Sequence, residues 1–159
     1  TSRQKKIIVY NVPQHRAIDF INGRNFLFSG DADLITADFA RNFHLKPSRI
    51  LQRVRVAASW QDLAYDDHYV SFGTKKILLL DNTISLKSSG TKYQIDLLVV
   101  SKNPGIYISR LISCFAIKQI VFDGSVPPGK LKYWKKDCDS LHIPYHDVVE
   151  KGAFVMNLN

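Results

Sequence analysis

The sequence predicts an α+β domain with mixed β-sheets flanked by helices, and three observations carry that expectation. The first half runs in short apolar segments around the turn signals Asn22-Gly23-Arg24 and Gly73-Thr74, which mark antiparallel hairpins. The second half changes period: strand-sized apolar runs lead to polar tips and then to apolar stripes at helical spacing. Composition agrees, because 45% hydrophobic and 23% charged residues over a length of 159 support one sizeable core and a single domain spanning 1–159.

Taken in order, Lys6 to Val9 is predicted as the first strand, and Ala17 to Asn22 with Asn25 to Ser29 as a hairpin. Asp31 to Phe43 places Leu34, Ile35, Phe39 and Phe43 at a partly helical spacing, with Asp31 or Asp33 able to cap the start and Pro47 beyond the end. Ile50 to Val56 is expected as a strand with Arg53 and Arg55 outward, and Trp60 to His68 as a loop or short turn. Tyr69 to Phe72 and Lys76 to Asp81 read as a second hairpin. Ser88-Ser89-Gly90 is the one linker-like patch, too short to separate domains.

Ile95 to Val100, with the unbroken apolar run Leu97 to Val100, is expected as a strand covered on both faces. Its tip is Ser101-Lys102-Asn103, and Asn103-Pro104 supplies a cap and a first-turn proline for a helix with the stripe Ile108, Leu111, Ile112 and Phe115. Gln119 to Phe122 repeats the strand, Asp123-Gly124-Ser125 repeats the tip, and Ser125 with Pro127-Pro128 repeats the helix start. Leu131, Trp134, Cys138 and Leu141 form the second stripe, and Lys132, Lys135, Lys136 and Asp139 the opposite face. Ile143 to Val148 and Ala153 to Leu158 are expected as closing strands.

The two tips lie where open α/β sheets place ligands, at the carboxyl ends of strands facing helix N-termini. Lys102 and those N-termini are a candidate anion site. A formal net charge of +8, from 22 Lys and Arg against 14 Asp and Glu, favours polyanionic partners such as DNA, RNA or an anionic lipid surface. The face of Lys132, Lys135 and Lys136, with Tyr133 as the exposed aromatic and Trp134 turned to the core, is the best candidate for contact with single-stranded nucleic acid.

Other chemistries find little support in the residues. His142 and His146 belong to a predicted strand, where four residues span about 13 Å, too far to share an ion. Asp66-Asp67-His68 reads as a solvated turn, and His15 and His44 stand alone. Cys114 and Cys138 lack CxxC spacing and are expected as reduced packing residues. No GxSxG elbow occurs, and neither tip has the glycine content of a phosphate-cradling loop. No apolar run approaches the roughly 20 residues of a membrane span, and the Thr1-Ser2 start suggests a soluble fragment excised from a longer protein.

Several stretches in combination, VYNVPQHRAIDFINGRNFLFSGD, RNFHLKPSRI, DLLVVSKNPGIYISRL, KQIVFDGSVPPGKLKYWKKDCDSLHIPYHDV and KGAFVMNL, resemble the carboxyl-terminal soluble domain of ComEC-type competence proteins. The resemblance implies a metallo-β-lactamase-like αββα sandwich, here degenerate and shortened. It also implies attachment to a polytopic inner-membrane channel, the transmembrane portion of the same parent, that imports single-stranded DNA during natural transformation. Better-known members are thought to be metal-dependent nucleases that degrade the non-transported strand, with a DVGQGDA opening and an HxHxDH motif.

This chain departs from that pattern. Asn11 stands where the leading aspartate would, in Asn11-Val12-Pro13-Gln14-His15-Arg16-Ala17; Phe28-Ser29-Gly30-Asp31 falls where a strand ends in an aspartate; Ser101-Lys102-Asn103 replaces a histidine-bearing strand end; and HxHxDH does not occur. Losing those ligands removes the activated water that hydrolysis needs, so no cofactor is expected. Asn11, His15, Asp31, Ser101, Lys102, Asn103, Asp123 and Ser125 are then expected to rim a degenerate site of a catalytically inactive domain that contacts DNA or the channel assembly. The alternative is a residual phosphodiesterase with a divalent metal among Asp31, His15 and Asp123. A third is a structural domain whose basic helix docks on the membrane surface or the channel.

Overall fold

The computed structural model describes residues 4–23, 25–30, 63–66, 68–81, 86 and 90–158. The predicted helix at 31–43, the predicted strand at 50–56, and Asp31 lie outside these residues. Two sheets stack face to face. The first is antiparallel, in the order β12-β1-β2-β3, built from β1 (Lys5–Val9), β2 (Ala17–Asn22), β3 (Asn25–Gly30) and β12 (Phe154–Asn157). Alternation aims its inner face: Ile7 and Val9 of β1 and Ile18 and Phe20 of β2 are fully buried in the inter-sheet core.

The second sheet has six strands in the order β11-β10-β8-β6-β5-β4, namely β4 (Leu63–Asp66), β5 (Tyr69–Phe72), β6 (Lys75–Leu80), β8 (Leu97–Val100), β10 (Ile120–Phe122) and β11 (Tyr145–Asp147). Strands β6, β8, β10 and β11 are mutually parallel, and β4-β5-β6 an antiparallel meander. This sheet is covered on both sides, which explains its unbroken apolar runs. Ile77, Leu79, Leu97, Val99 and Val121 face the first sheet, with Phe20 and Phe72 meeting edge to face at 5.8 Å between ring centres. Leu78, Leu80, Leu98, Val100, Ile120 and Phe122 face α1 (Ile108–Cys114) and α2 (Pro128–Ser140), where Phe122 stacks on Trp134 at 6.0 Å. The described chain is therefore α+β: mixed sheets in two layers, with helices on the outer face of the larger.

Several boundaries differ from expectation. The predicted loop at 60–68 contains β4, because Leu63 and Ala64 pair with Phe72 and Ser71. Asp96 splits the predicted strand 95–100: its carboxylate accepts from the Lys76 amide at 2.8 Å, and β7 (Tyr93–Ile95) leaves to pair with β9 (Phe115–Ile117). Phe115, expected on the first helical stripe, is the C-cap residue that opens β9. The last predicted strand before the terminus ends early, since Asp147 caps a helical turn, α3 (Val148–Lys151), by accepting from the Val149 amide. Neither tip caps a helix. Tyr107 precedes α1 and Pro127 precedes α2, both without a side-chain cap, so Asn103 and Ser125 are left for other partners.

Cys114 and Cys138 are free and buried. Burial, with Asp137 and Asp139 nearby, pushes the Cys138 thiol up to about 12. Among the described residues, no helix is long and apolar enough to cross a membrane.

Candidate functional site

Four parallel strands end side by side, and each ends in a small polar residue: Asp81 after β6, Ser101 after β8, Asp123 after β10 and Asp147 at the end of β11. Such an edge is where an α/β sheet assembles chemistry. Here every carboxylate meets a protein partner. Asp81 takes the guanidinium of buried Arg16 at 3.1 Å, with His68 Nδ1 at 3.8 Å. Asp123, fully buried, accepts from Ser101 Oγ on one oxygen at 2.5 Å and from the Ser125 amide and hydroxyl on the other at 2.9 and 2.5 Å. Asp147 takes the Lys135 ammonium at 2.5 Å.

Burial raises the Asp123 carboxyl above its ordinary range, although the Ser101 and Ser125 hydroxyls, the Ser125 amide and the Arg16 charge all favour the ionised form. Lys135 shows the opposite balance. Its burial disfavours the ammonium, but Asp147 and Glu150, at 3.1 Å, outweigh that and raise it.

The two tips are joined to each other and to the loop after β1. The Lys102 amide donates to Ser125 Oγ at 2.8 Å, with Lys102 itself in the left-handed region at φ 60°. Gly124 lies against the 11–14 loop: the Gln14 amide donates to its carbonyl at 2.9 Å, and a β-carbon at 124 would come within 2.4 Å of the Val12 carbonyl oxygen. Asn11 sits on this loop, its Oδ1 3.2 Å from that same position, and the His15 amide closes the turn on Val12 at 3.1 Å.

Beside the loop opens a cleft of about 1080 Å³ between Asn11, Pro13 and Gln14 on one wall and Lys132, Lys135 and Lys136 on the other. The structure thus brings together Asn11, Ser125 and the three lysines, joining the expected rim to the expected basic face. It does not bring Tyr133 with them. Tyr133 lines a second cleft on the far side of α2, with Lys130 and Tyr107. Lys102 and Asn103 are exposed on the 101–107 loop.

Among the described residues the strand-end carboxylates do not offer a donor set for a divalent ion. A metal needs lone pairs converging within about 2.0 to 2.6 Å, whereas both oxygens of Asp123 already accept from hydroxyl and amide donors, and Asp81 and Asp147 face cations. Among the described residues no three His, Cys, Asp or Glu side chains form such a group. His142 is an exposed residue after α2, while His146 is held by the Gly152 carbonyl at 2.8 Å, so the two do not meet. The start of α2 is also a poor anion site, because Pro127 and Pro128 have no N–H.

Sequence reading missed Asp81, Asp147, Arg16 and Glu150. The parallel register of four strands sets Asp81 and Asp147 in one row with Ser101 and Asp123, while Arg16 comes to Asp81 from the loop before β2 and Glu150 to Lys135 from α3. For Asp81 the available signal was its place directly after the apolar run Ile77 to Leu80.

No curated protein and no solved structure matches the chain. The family model for the ComEC C-terminal domain matches residues 7–158, almost the whole chain. The protein therefore belongs to the ComEC C-terminal domain family, a domain of competence-type DNA-uptake proteins.

Proposed function

We propose that the domain is a non-hydrolysing module of a DNA-uptake protein, and that it contacts the phosphate backbone of DNA through Lys132 and Lys136 of α2. The observation that carries this reading is the contrast in how charges are met. The carboxylates at the strand ends face Arg16, Ser101, Ser125 and Lys135, whereas Lys132 and Lys136 stand exposed on the cleft wall. Exposed, flexible ammonium groups suit phosphates, which they meet as point charges. Two stacked sheets with helices outside the larger one support a shortened relation to metallo-β-lactamase-like sandwiches, with hydroxyl and ammonium groups where metal ligands would stand.

The test has two arms. Purified domain is titrated with a labelled single-stranded oligonucleotide over a salt series, and affinity is expected to fall as salt rises. The same preparation is incubated with DNA plus manganese or zinc, where intact DNA is the expected result. Cleavage that depends on added metal would overturn the non-hydrolysing reading in favour of a phosphodiesterase. Absence of binding at low salt would overturn the DNA contact and leave docking on the channel or the membrane surface.

A further inference from the structure

We propose that the second cleft, between α1 and α2, is a nucleobase site, so that the domain holds single-stranded rather than duplex DNA; this rests on the DNA contact proposed above. The cleft measures about 540 Å³ and is lined by Tyr107, Lys130, Tyr133, Trp134 and Asp137, with Ser109 and Ser140 among the hydroxyls around it. Its aromatic walls are unusually open. Tyr107 and Tyr133 are 71% and 69% exposed, against 2% for the core residue Trp134 between the helices. Two large rings left in solvent at one cleft offer π-faces that any unpaired base can stack on, while bases inside a duplex are already stacked.

The remaining lining argues for a base over other ligands. Lys130 holds its ammonium 5.5 Å from the Trp134 ring centre, where it can also meet a flanking phosphate. Asp137 brings a carboxylate to the lining. That charge repels phosphate but accepts from the exocyclic amine of cytosine, adenine or guanine, a group thymine lacks. The indole N–H of Trp134 is already given to the Ile106 carbonyl at 3.3 Å, so it contributes surface and not a donor.

Helix α2 separates this cleft from the one lined by Lys132 and Lys136. A single strand crossing the helix would set phosphates on one side and a base on the other. Residues 130, 133 and 137 lie one turn apart along the helix on the base side, and 132 and 136 on the phosphate side.

The experiment compares binding of oligo-dC, oligo-dT and a duplex of equal length by the wild-type domain and by Y107S/Y133S, Y107F/Y133F, D137N and K132E/K136E, with folding checked by circular dichroism. The expected result is that Y107S/Y133S loses about ten-fold or more in single-strand affinity with duplex binding unchanged, that Y107F/Y133F keeps it, and that D137N narrows the preference of dC over dT. Wild-type single-strand affinity in Y107S/Y133S, with binding still lost in K132E/K136E, would overturn the base site while leaving the phosphate contact standing. No binding of any DNA by the wild type would overturn both.

Discussion

The ends of the parallel strands and the outer side of α2 are both polar, yet they are built in opposite ways. At the strand ends the polar groups are buried or half-buried and answer one another: Ser101 and Ser125 hold Asp123, and Arg16 holds Asp81. On α2, Lys132, Tyr133 and Lys136 point into solvent. A buried network that satisfies itself rigidifies a fold and offers little to a ligand, whereas exposed cations and aromatics keep their capacity to bind. On the function proposed above, the strand ends serve the fold and the surface beside them serves the interaction.

The comparison breaks first, if it is wrong, at Asp123. Asp123→Ala removes the acceptor shared by three donors at a fully buried position, and urea unfolding is expected to show a loss of about 3 kcal/mol. A change near zero would mean that the cluster is not structural. Gly124→Ala comes next, at about 2 kcal/mol, since its β-carbon would press on the Val12 carbonyl and push the 11–14 loop off the tip. The same substitution should narrow the wall of the lysine cleft that Asn11 and Gln14 form.

Lys135 sharpens the contrast within α2 itself. It is one of three lysines on that face, but it clasps Asp147 and Glu150 with a side chain only 23% exposed. Lys135→Ala leaves the Asp147 carboxylate unpartnered by a cation and is expected to cost about 1 to 2 kcal/mol after allowing for its partial exposure. Lys132→Ala and Lys136→Ala should stay within about 0.5 kcal/mol of wild type by the same thermal or urea assay.

The smallest effect is in pH. The Asp123 carboxyl is raised above its ordinary value of 3.8 by burial, more than its hydrogen bonds and Arg16 lower it. From 3.8 up to the raised native value the folded state holds the proton that the unfolded chain has released, so this group's contribution to stability falls as pH rises through that window. Asp123→Asn does not titrate. Its denaturation midpoint relative to wild type should therefore climb as pH increases from about 4 and then level off.

How much of this was legible in the sequence differs between the two regions. The helical stripe Leu131, Trp134 and Cys138 is buried as its spacing predicts, and the outward placing of Lys132, Tyr133 and Lys136 followed from period alone, whereas Lys135, expected on the same face, turns to Asp147 and Glu150. What spacing did not reveal is that Tyr133 and the lysines line different clefts, because that depends on the loop at 11–14 and on Tyr107 coming from elsewhere in the chain. The hairpin at Gly73-Thr74 and the strands around it also follow from local turn chemistry. The strand-end row does not. Ser125 reads as a helix cap in sequence, yet it turns back to Asp123, while Pro127 and Pro128 set the start of α2 without it. The strand expected over 95–100 likewise took no account of Asp96, whose carboxylate accepts from the Lys76 amide 20 residues away.

The most direct measurement of the central claim is the salt dependence of single-strand binding in wild type and K132A/K136A, followed by fluorescence anisotropy between roughly 50 and 200 mM salt. In the wild type log affinity is expected to fall linearly with log salt, and in the double variant with a slope smaller by about 1.4, about 0.7 for each lost phosphate contact. Equal slopes in the two proteins, or no binding at the lowest salt, would contradict that claim.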